Sequence, residues 1–277
     1  MSKLKEKMMN AIFFVAALTS IVGVGLICFF LFVNGIPAIA NIGILNFLMG
    51  TEWSPVDIPP VFGILPMIVG SLYVTAGAMI IGVPIGVLTA VFLAYVCPQK
   101  MYHYIKPGIE LLAGIPSVVY GFFGMVMIIP LTGNSILSAC ILLGIMILPT
   151  VIGIAESALC AVPKQYYEGA LALGAGHYRS VFQVMVPAAK SGILASIVLG
   201  VGRAIGETMA VIMVAGNQAR MPVSLFKGVR TLTANIVLEM GYATDLHREA
   251  LIATGVVLFV FILMINLSFS ILKGRVK

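Results

Sequence analysis

Six runs of predominantly apolar residues, at 11–33, 64–96, 108–130, 135–158, 191–216 and 250–272, decide what this chain can fold into. About twenty such residues cross a hydrocarbon layer about 30 Å thick at 1.5 Å per residue. In that layer no water meets the backbone N–H and C=O groups, so each run must satisfy them internally, as a helix does. The expectation is an all-α integral membrane fold with six transmembrane helices. Composition agrees: 61% of residues are hydrophobic and 9% charged, at a mean hydropathy of +1.12, whereas a soluble domain is about a quarter charged. The second run is long and contains Pro84, so a tilt, a kink or an interfacial start is expected there. The first follows Lys3, Lys5 and Lys7 but is long for a signal peptide and lacks a small-residue cleavage site, so it reads as a retained span.

Basic residues set the direction. Lys3, Lys5 and Lys7, then Lys100 and Lys106, then Lys164, Arg179 and Lys190, then Lys273, Arg275 and Lys277 fall on one side. The other side has no Lys or Arg between Asn34 and Gly63, and its longest loop dilutes Arg220, Lys227, Arg230 and Arg248 with acids. Both termini are therefore expected in the cytoplasm. Residues 1–61 form a first helix and an extracytoplasmic loop; 62–277 form a five-helix core with a cytoplasmic hairpin at 159–190. The net charge of +6 follows from this asymmetry. No basic stripe alternates with aromatics, so no nucleic-acid partner is expected; membrane lipid is. Cys28, Cys97, Cys140 and Cys160 lack CxxC spacing and read as small core residues. His103, His177 and His247 fall in links, without HExxH or a partner serine, so no covalent chemistry, metal or bound cofactor is expected. Trp53 and Tyr242 read as interfacial anchors.

Within the fifth run, "GVGRAIGETMAV" (Gly200–Val211) places Arg203 and Glu207 four residues apart, on one helix face and close enough to pair. An arginine at mid-depth costs about 3 kcal/mol on insertion scales, so it is expected to face a polar space rather than lipid. Two readings stand. One is a buried ion pair that fixes helix packing. The other is an anion route, in which the planar guanidinium meets oxyanions and Glu207 keeps binding weak enough for release. Pro116–Ser117 and Pro149–Thr150 are each expected to break a helix; Ser117 and Tyr120 are candidates for the passage wall, against a plain kink. Glu110 and Glu156 fall near cytoplasmic ends, where solvation is expected and gating is the alternative. Gly63, Gly70 and Gly77, with the pairs Gly82–Gly86 and Gly202–Gly206, offer close helix packing.

The link "AVPKQYYEGALALGAGHYRSVFQVMVPAAKSG" predicts a helix over 164–173, a left-handed cap at Gly174 and a second helix ended by Pro187. An amphipathic connector would look similar. The spacing of Glu168, Ala170, Gly174, Val184, Val186 and Pro187, however, resembles the "EAA" loop of ABC importer permeases, with Gly169 in place of the first alanine. The resemblance implies a coupling helix seated on a separate ATP-hydrolysing subunit. The chain itself has no GxxxxGK[ST] phosphate loop.

"LLAGIPSVVYGFFG" (Leu111–Gly124), "ALALGA" (Ala170–Ala175), "GRAIGETMAV" (Gly202–Val211) and "MVAGN" ending at Asn217 are similar to the phosphate-specific ABC importer permeases. "GETMAV" followed by "AGN" resembles the C-type permease; the A-type usually reads "GETAPL". The likeness runs from about Phe62 to the C-terminus, with "TEWSPV" (Thr51–Val56) adding weaker support. It implies a type I importer permease of the bacterial or archaeal cytoplasmic membrane that translocates inorganic phosphate. Its partners would be an A-type permease, two ATP-binding subunits that hold the ATP, and an extracytoplasmic phosphate-binding protein. Arg203 and Glu207 would serve the passage, with Asn217 beside it; Glu168, Gly169, Ala170, Gly174 and Pro187 would serve ATPase coupling. Sulfate, molybdate or phosphonate are rival substrates. A gradient-driven carrier or channel working alone is a rival class, and the hairpin speaks against it.

Overall fold

A computed structural model describes residues 3–275; Met1, Ser2, Val276 and the tail's Lys277 lie outside the described residues. Helix α1 (Lys3–Ile42) leads to α2 (Ile44–Met49) and a short antiparallel pair, β1 (Trp53–Ser54) with β2 (Val61–Phe62). Helix α3 (Leu65–Val91) passes through Pro84 without a break and ends in a π-helical turn, Phe92–Val96. Helices α4 (Gln99–Gly114), α5 (Ser117–Phe123) and α6 (Ile129–Thr132) follow, the last two joined by a π-helical turn. Then come α7 (Ile136–Cys160), α8 (Lys164–Ala172), α9 (His177–Ser180) and α10 (Val186–Ala188). Helices α11 (Lys190–Gly206), α12 (Met209–Val214), α13 (Leu232–Glu239) and α14 (Asp245–Arg275) complete the chain.

Among the described residues four helices are long and apolar enough to cross a membrane, and two bent pairs, each counted as one span, bring the total to six. The bends revise the expected spans. The third run is not straight over 108–130: α4 meets the segment 117–132 at 99°. Its amphipathic α4 buries no residue, which suits a helix lying along the cytoplasmic face. The cause is local, because Pro116 drives Ile115 into an extended conformation. Pro149 does not break span four, since α7 is continuous from 136 to 160. Nor does Pro187 end its helix; it occupies the first turn of α10, and the 69° bend comes after Ala188.

Packing forms three tiers. At the extracytoplasmic end Ala38, Phe47, Trp53, Ile64, Leu232 and Leu251 join the N-terminal segment to α13 and α14. The middle tier packs α3, α5, α7 and α12 around Val74, Tyr120, Leu142 and Val211. The cytoplasmic tier beds the hairpin on α3 and α7 through Val91, Ala155, Leu159, Val181 and Ala189.

Lipid tails are as apolar as leucine, so helices in a membrane associate by close fit, not by hydrophobic exclusion. Gly82 shows the fit: a Cβ there would lie 2.7 Å from the Gly144 carbonyl oxygen. Gly77 and Gly86 likewise face Cys140 and Val151. The pair Gly202–Gly206 behaves otherwise, because no atom of the described residues lies within 4 Å of either missing Cβ.

Candidate functional site

Span five is broken where its charges lie. Gly206 ends α11, Glu207 is extended (φ −69°, ψ 131°) and α12 begins at Met209. The sequence Gly-Glu-Thr supplies the reason, since capping groups compete with continued helix. The Glu207 carboxylate accepts the N–H groups of Thr208 (3.2 Å) and Ala210 (3.3 Å), and the Thr208 hydroxyl donates to the Gly206 carbonyl (3.2 Å). Negative charge at that helix start is favourable. Thr233 of α13 then fixes the break by donating to the Glu207 carbonyl (3.1 Å).

The expected Arg203–Glu207 pair is therefore not formed. Four-residue spacing brings charges together only on continuous helix, and here the helix ends between them. Arg203 instead donates from Nη1 to Thr150 Oγ1 of α7 (3.2 Å), and it joins no ion pair among the described residues. Its Cα lies about 20 Å along α11 from Lys190. Helical side chains lean toward the N-terminus, which carries the guanidinium back toward the membrane midplane. Arg203 is half-buried, and Gly202 and Gly206 beside it leave its flank open.

The other passage candidates divide. Tyr120 is buried in the middle tier, and its hydroxyl donates across the elbow to the Leu112 carbonyl (2.8 Å). It pins α4 to α5. Ser117 opens α5 one turn before it. Asn217 lies beyond the far end of α12. Gly216 and Asn217 both adopt left-handed φ (79° and 50°), and the Asn217 amide donates to the Ile212 carbonyl (2.8 Å), closing that helix. Asparagine tolerates this conformation better than most residues, which accounts for Ala-Gly-Asn.

The cytoplasmic hairpin has the expected form. Helix α8 runs from Lys164 to Ala172, Gly174 takes φ +84°, and the second arm starts at His177. Tyr167 and His177 staple the arms (Oη to Nδ1, 2.7 Å). Glu168, Gly169, Gly174 and Pro187 are exposed and Ala170 is half-buried. Tyr166, Gly169, Leu173, Arg179 and Val184 line an open groove of about 580 Å³, with Leu173 91% exposed. Among the described residues nothing crowds Gly169, so its smallness answers no packing seen there.

Residues 82–277 match the family of binding-protein-dependent transport system inner membrane components. The chain belongs to this family. It is a multi-pass inner-membrane permease subunit of the ABC transporter class. It is 40% identical over 256 residues to a probable ABC transporter permease protein, YqgH, of Bacillus subtilis, covering 87% of this chain and 83% of the relative. It is 33% identical over 278 residues to the phosphate transport system permease protein PstC of Mesorhizobium japonicum, covering 90% and 84%. In structure it is similar to the inward-facing methionine ABC transporter MetNI, with a TM-score of 0.66 and 18% identity over 77% of this chain and 96% of that one. The fold is that of type I importer permeases.

Two buried carboxylates of the permease depart from the sequence reading: Glu156, expected to be solvated, and Glu239, which was not singled out. Glu156 is not solvated at its helix end; it is 4% exposed and receives Lys106 Nζ (2.6 Å) and the Tyr102 hydroxyl (2.8 Å), which ties α4 to α7. The bond to Glu156, with burial and that charge, pushes Tyr102 from its ordinary 10.0 up to about 12. Trp53 is not an interfacial anchor but 7% exposed, and its Nε1 donates to Glu239 (2.9 Å). Glu239 also accepts from Arg230 (2.5 Å) and meets His247 Nε2 (2.9 Å). Arg230 in turn donates to the Asn217 carbonyl (3.1 Å) and to Asn235 (3.0 Å). Buried acids in apolar sequence were the available signal; Trp53, Tyr102 and Lys106 lie too far along the chain to be read as their partners.

Proposed function

We propose that this permease is the C-type subunit of an ATP-driven importer that carries inorganic phosphate into the cell. One observation carries the reading: a half-buried guanidinium, without a carboxylate partner among the described residues, stands at a helix break beside open glycines. A charge so placed is costly unless a passing anion meets it. Thr150 orients the guanidinium and leaves donors free, while Glu207 spends its charge on α12 rather than on Arg203. The site therefore holds a cation available to a passing anion, without a carboxylate partner among the described residues to compete for it. The name of the Mesorhizobium relative supports phosphate as the ion.

In this reading an A-type permease covers the face beside Gly202 and Gly206 and encloses the passage. Two ATP-binding subunits seat on the exposed grooves of the hairpins, and a phosphate-binding protein delivers the ion from outside. The permease binds no ATP and breaks no covalent bond. Closure of the ATPase pair moves the hairpins, and the transmembrane helices switch access.

The test is phosphate uptake into vesicles holding the reconstituted complex. Arg203→Gln should lower uptake by roughly tenfold or more, the value of a charge-assisted hydrogen bond. Unchanged uptake would sink the route. Sulfate, molybdate and phosphonate as competitors decide the ion, because each offers similar oxygens to a guanidinium.

A further inference from the structure

The first two turns of α14 and the outer part of α1 line an open cavity of about 470 Å³, well apart in sequence from the transport site. Its lower lining is apolar: Phe30, Val33 and Ile252. Its rim is ionic: Asp245, Arg248 and Glu249, with Asn34 across from them on α1. The Asn34 amide is already engaged, donating to the Phe30 carbonyl (2.8 Å). Asn34 closes one apolar run and Ile252 falls just inside another, so the cavity straddles the extracytoplasmic boundary of the hydrocarbon.

Asp245 takes a left-handed φ of 44° at the start of α14, off the helical spacing that would close a pair with Arg248. All three rim residues are exposed, and none joins an ion pair among the described residues. One cation and two anions thus stand separately around an opening whose floor is greasy. We propose that this cavity binds the head group of an outer-leaflet phospholipid bearing a primary amine, such as phosphatidylethanolamine. The lipid phosphate meets the Arg248 guanidinium, which presents several N–H donors to phosphate oxygens. The ammonium, with three N–H donors, meets the carboxylates of Asp245 and Glu249. The upper part of an acyl chain lies along Phe30, Val33 and Ile252, which are exposed or half-buried.

The chemistry discriminates among lipids. A choline head group has no N–H to donate to two carboxylates. Phosphatidylglycerol brings a negative charge and no cation, so the two acids repel it. The site does not depend on which ion the permease carries.

Photoactivatable analogues of phosphatidylethanolamine, phosphatidylcholine and phosphatidylglycerol, each incorporated in vesicles with the full-length chain, test the proposal. The ethanolamine analogue should label the peptides around Val33 and Ile252 in preference to the other two. Labelling should fall roughly tenfold in Arg248→Gln and in the double variant Asp245→Asn/Glu249→Gln. These exposed substitutions should leave thermal unfolding unchanged, which separates loss of the site from loss of the fold. Soluble phosphoethanolamine should not compete, because it lacks the chain that the floor receives. Equal labelling by all three analogues, labelling indifferent to both variants, competition by the soluble head group, or cross-linking of these peptides to another polypeptide in the assembled transporter would each overturn it.

Discussion

Glu239 is 5% exposed, and yet three side chains converge on its two oxygens: Trp53, 186 residues away in the first extracytoplasmic loop, Arg230 nine residues before it, and His247 eight residues after it on α14. Removing one member of a buried ion pair costs about 3–5 kcal/mol, because the other charge is left uncompensated. Removing a neutral donor costs about 1–3 kcal/mol. Glu239→Gln should therefore lower the Tm of the purified permease clearly more than Trp53→Phe; equal shifts would show that the charge is not what holds the hub. Tyr102 offers a second check. With its pKa raised from 10.0 to about 12, the neutral phenol is favoured in the folded state, so its contribution to stability is full below pH 10 and fades as pH rises toward 12. Glu156→Gln should return its ionisation toward pH 10, read from phenolate absorbance against Tyr102→Phe. Neither partnership was legible in the sequence. Trp53 and Glu239 are 186 residues apart, and nothing local to either names the other. Arg203 was legible, because a charge inside an apolar run announces itself. Its partner was misread, because helical spacing was assumed across a Gly-Glu-Thr sequence whose polar groups cap instead.

At the scale of elements, α3 and α7 owe their contact to absent side chains. A methyl group on Gly82 would meet the Gly144 carbonyl oxygen at 2.7 Å, and a backbone oxygen cannot rotate away. Overpacking of this kind costs about 1–3 kcal/mol. Gly82→Ala should destabilise the isolated chain by that amount in thermal unfolding, whereas Gly202→Ala, which meets no atom within 4 Å, should not. Equal effects would mean that the glycines act through helix propensity alone. The sequence offered both GxxxG pairs on equal terms, because spacing shows that two small residues share a stripe but not whether another helix lies across from it. The apolar runs and the hairpin with its left-handed Gly174 were legible for the opposite reason: each follows from local chemistry. The elbow at Ile115–Pro116 was half-legible. A proline signals a break, but the 99° turn that lays α4 aside depends on the Tyr120–Leu112 bond and on Lys106 reaching Glu156.

Across the whole molecule α7 is the common beam. Its outer half packs in the middle tier, its inner end beds the hairpin, Thr150 holds Arg203, and Glu156 holds α4. In the proposed function, a push on the hairpin from the cytoplasm would reach the guanidinium through one continuous helix, and the α4–α5 elbow through the Lys106–Glu156–Tyr102 cluster. If that cluster transmits the push, its charges matter beyond stability. Replacing both members of a buried pair by apolar residues often leaves stability intact, whereas removing one does not. The double variant Lys106→Met/Glu156→Leu should therefore unfold near the wild-type Tm in the reconstituted importer of the proposed function. It should still support ATP hydrolysis, while the phosphate moved per ATP consumed falls several-fold. A merely structural cluster predicts a different result: with stability restored, the ratio of transport to hydrolysis would also return to the wild-type value. The ratio separates the two because it is insensitive to how much of the complex is folded, and responds only to whether motion at the hairpin still arrives at the elbow.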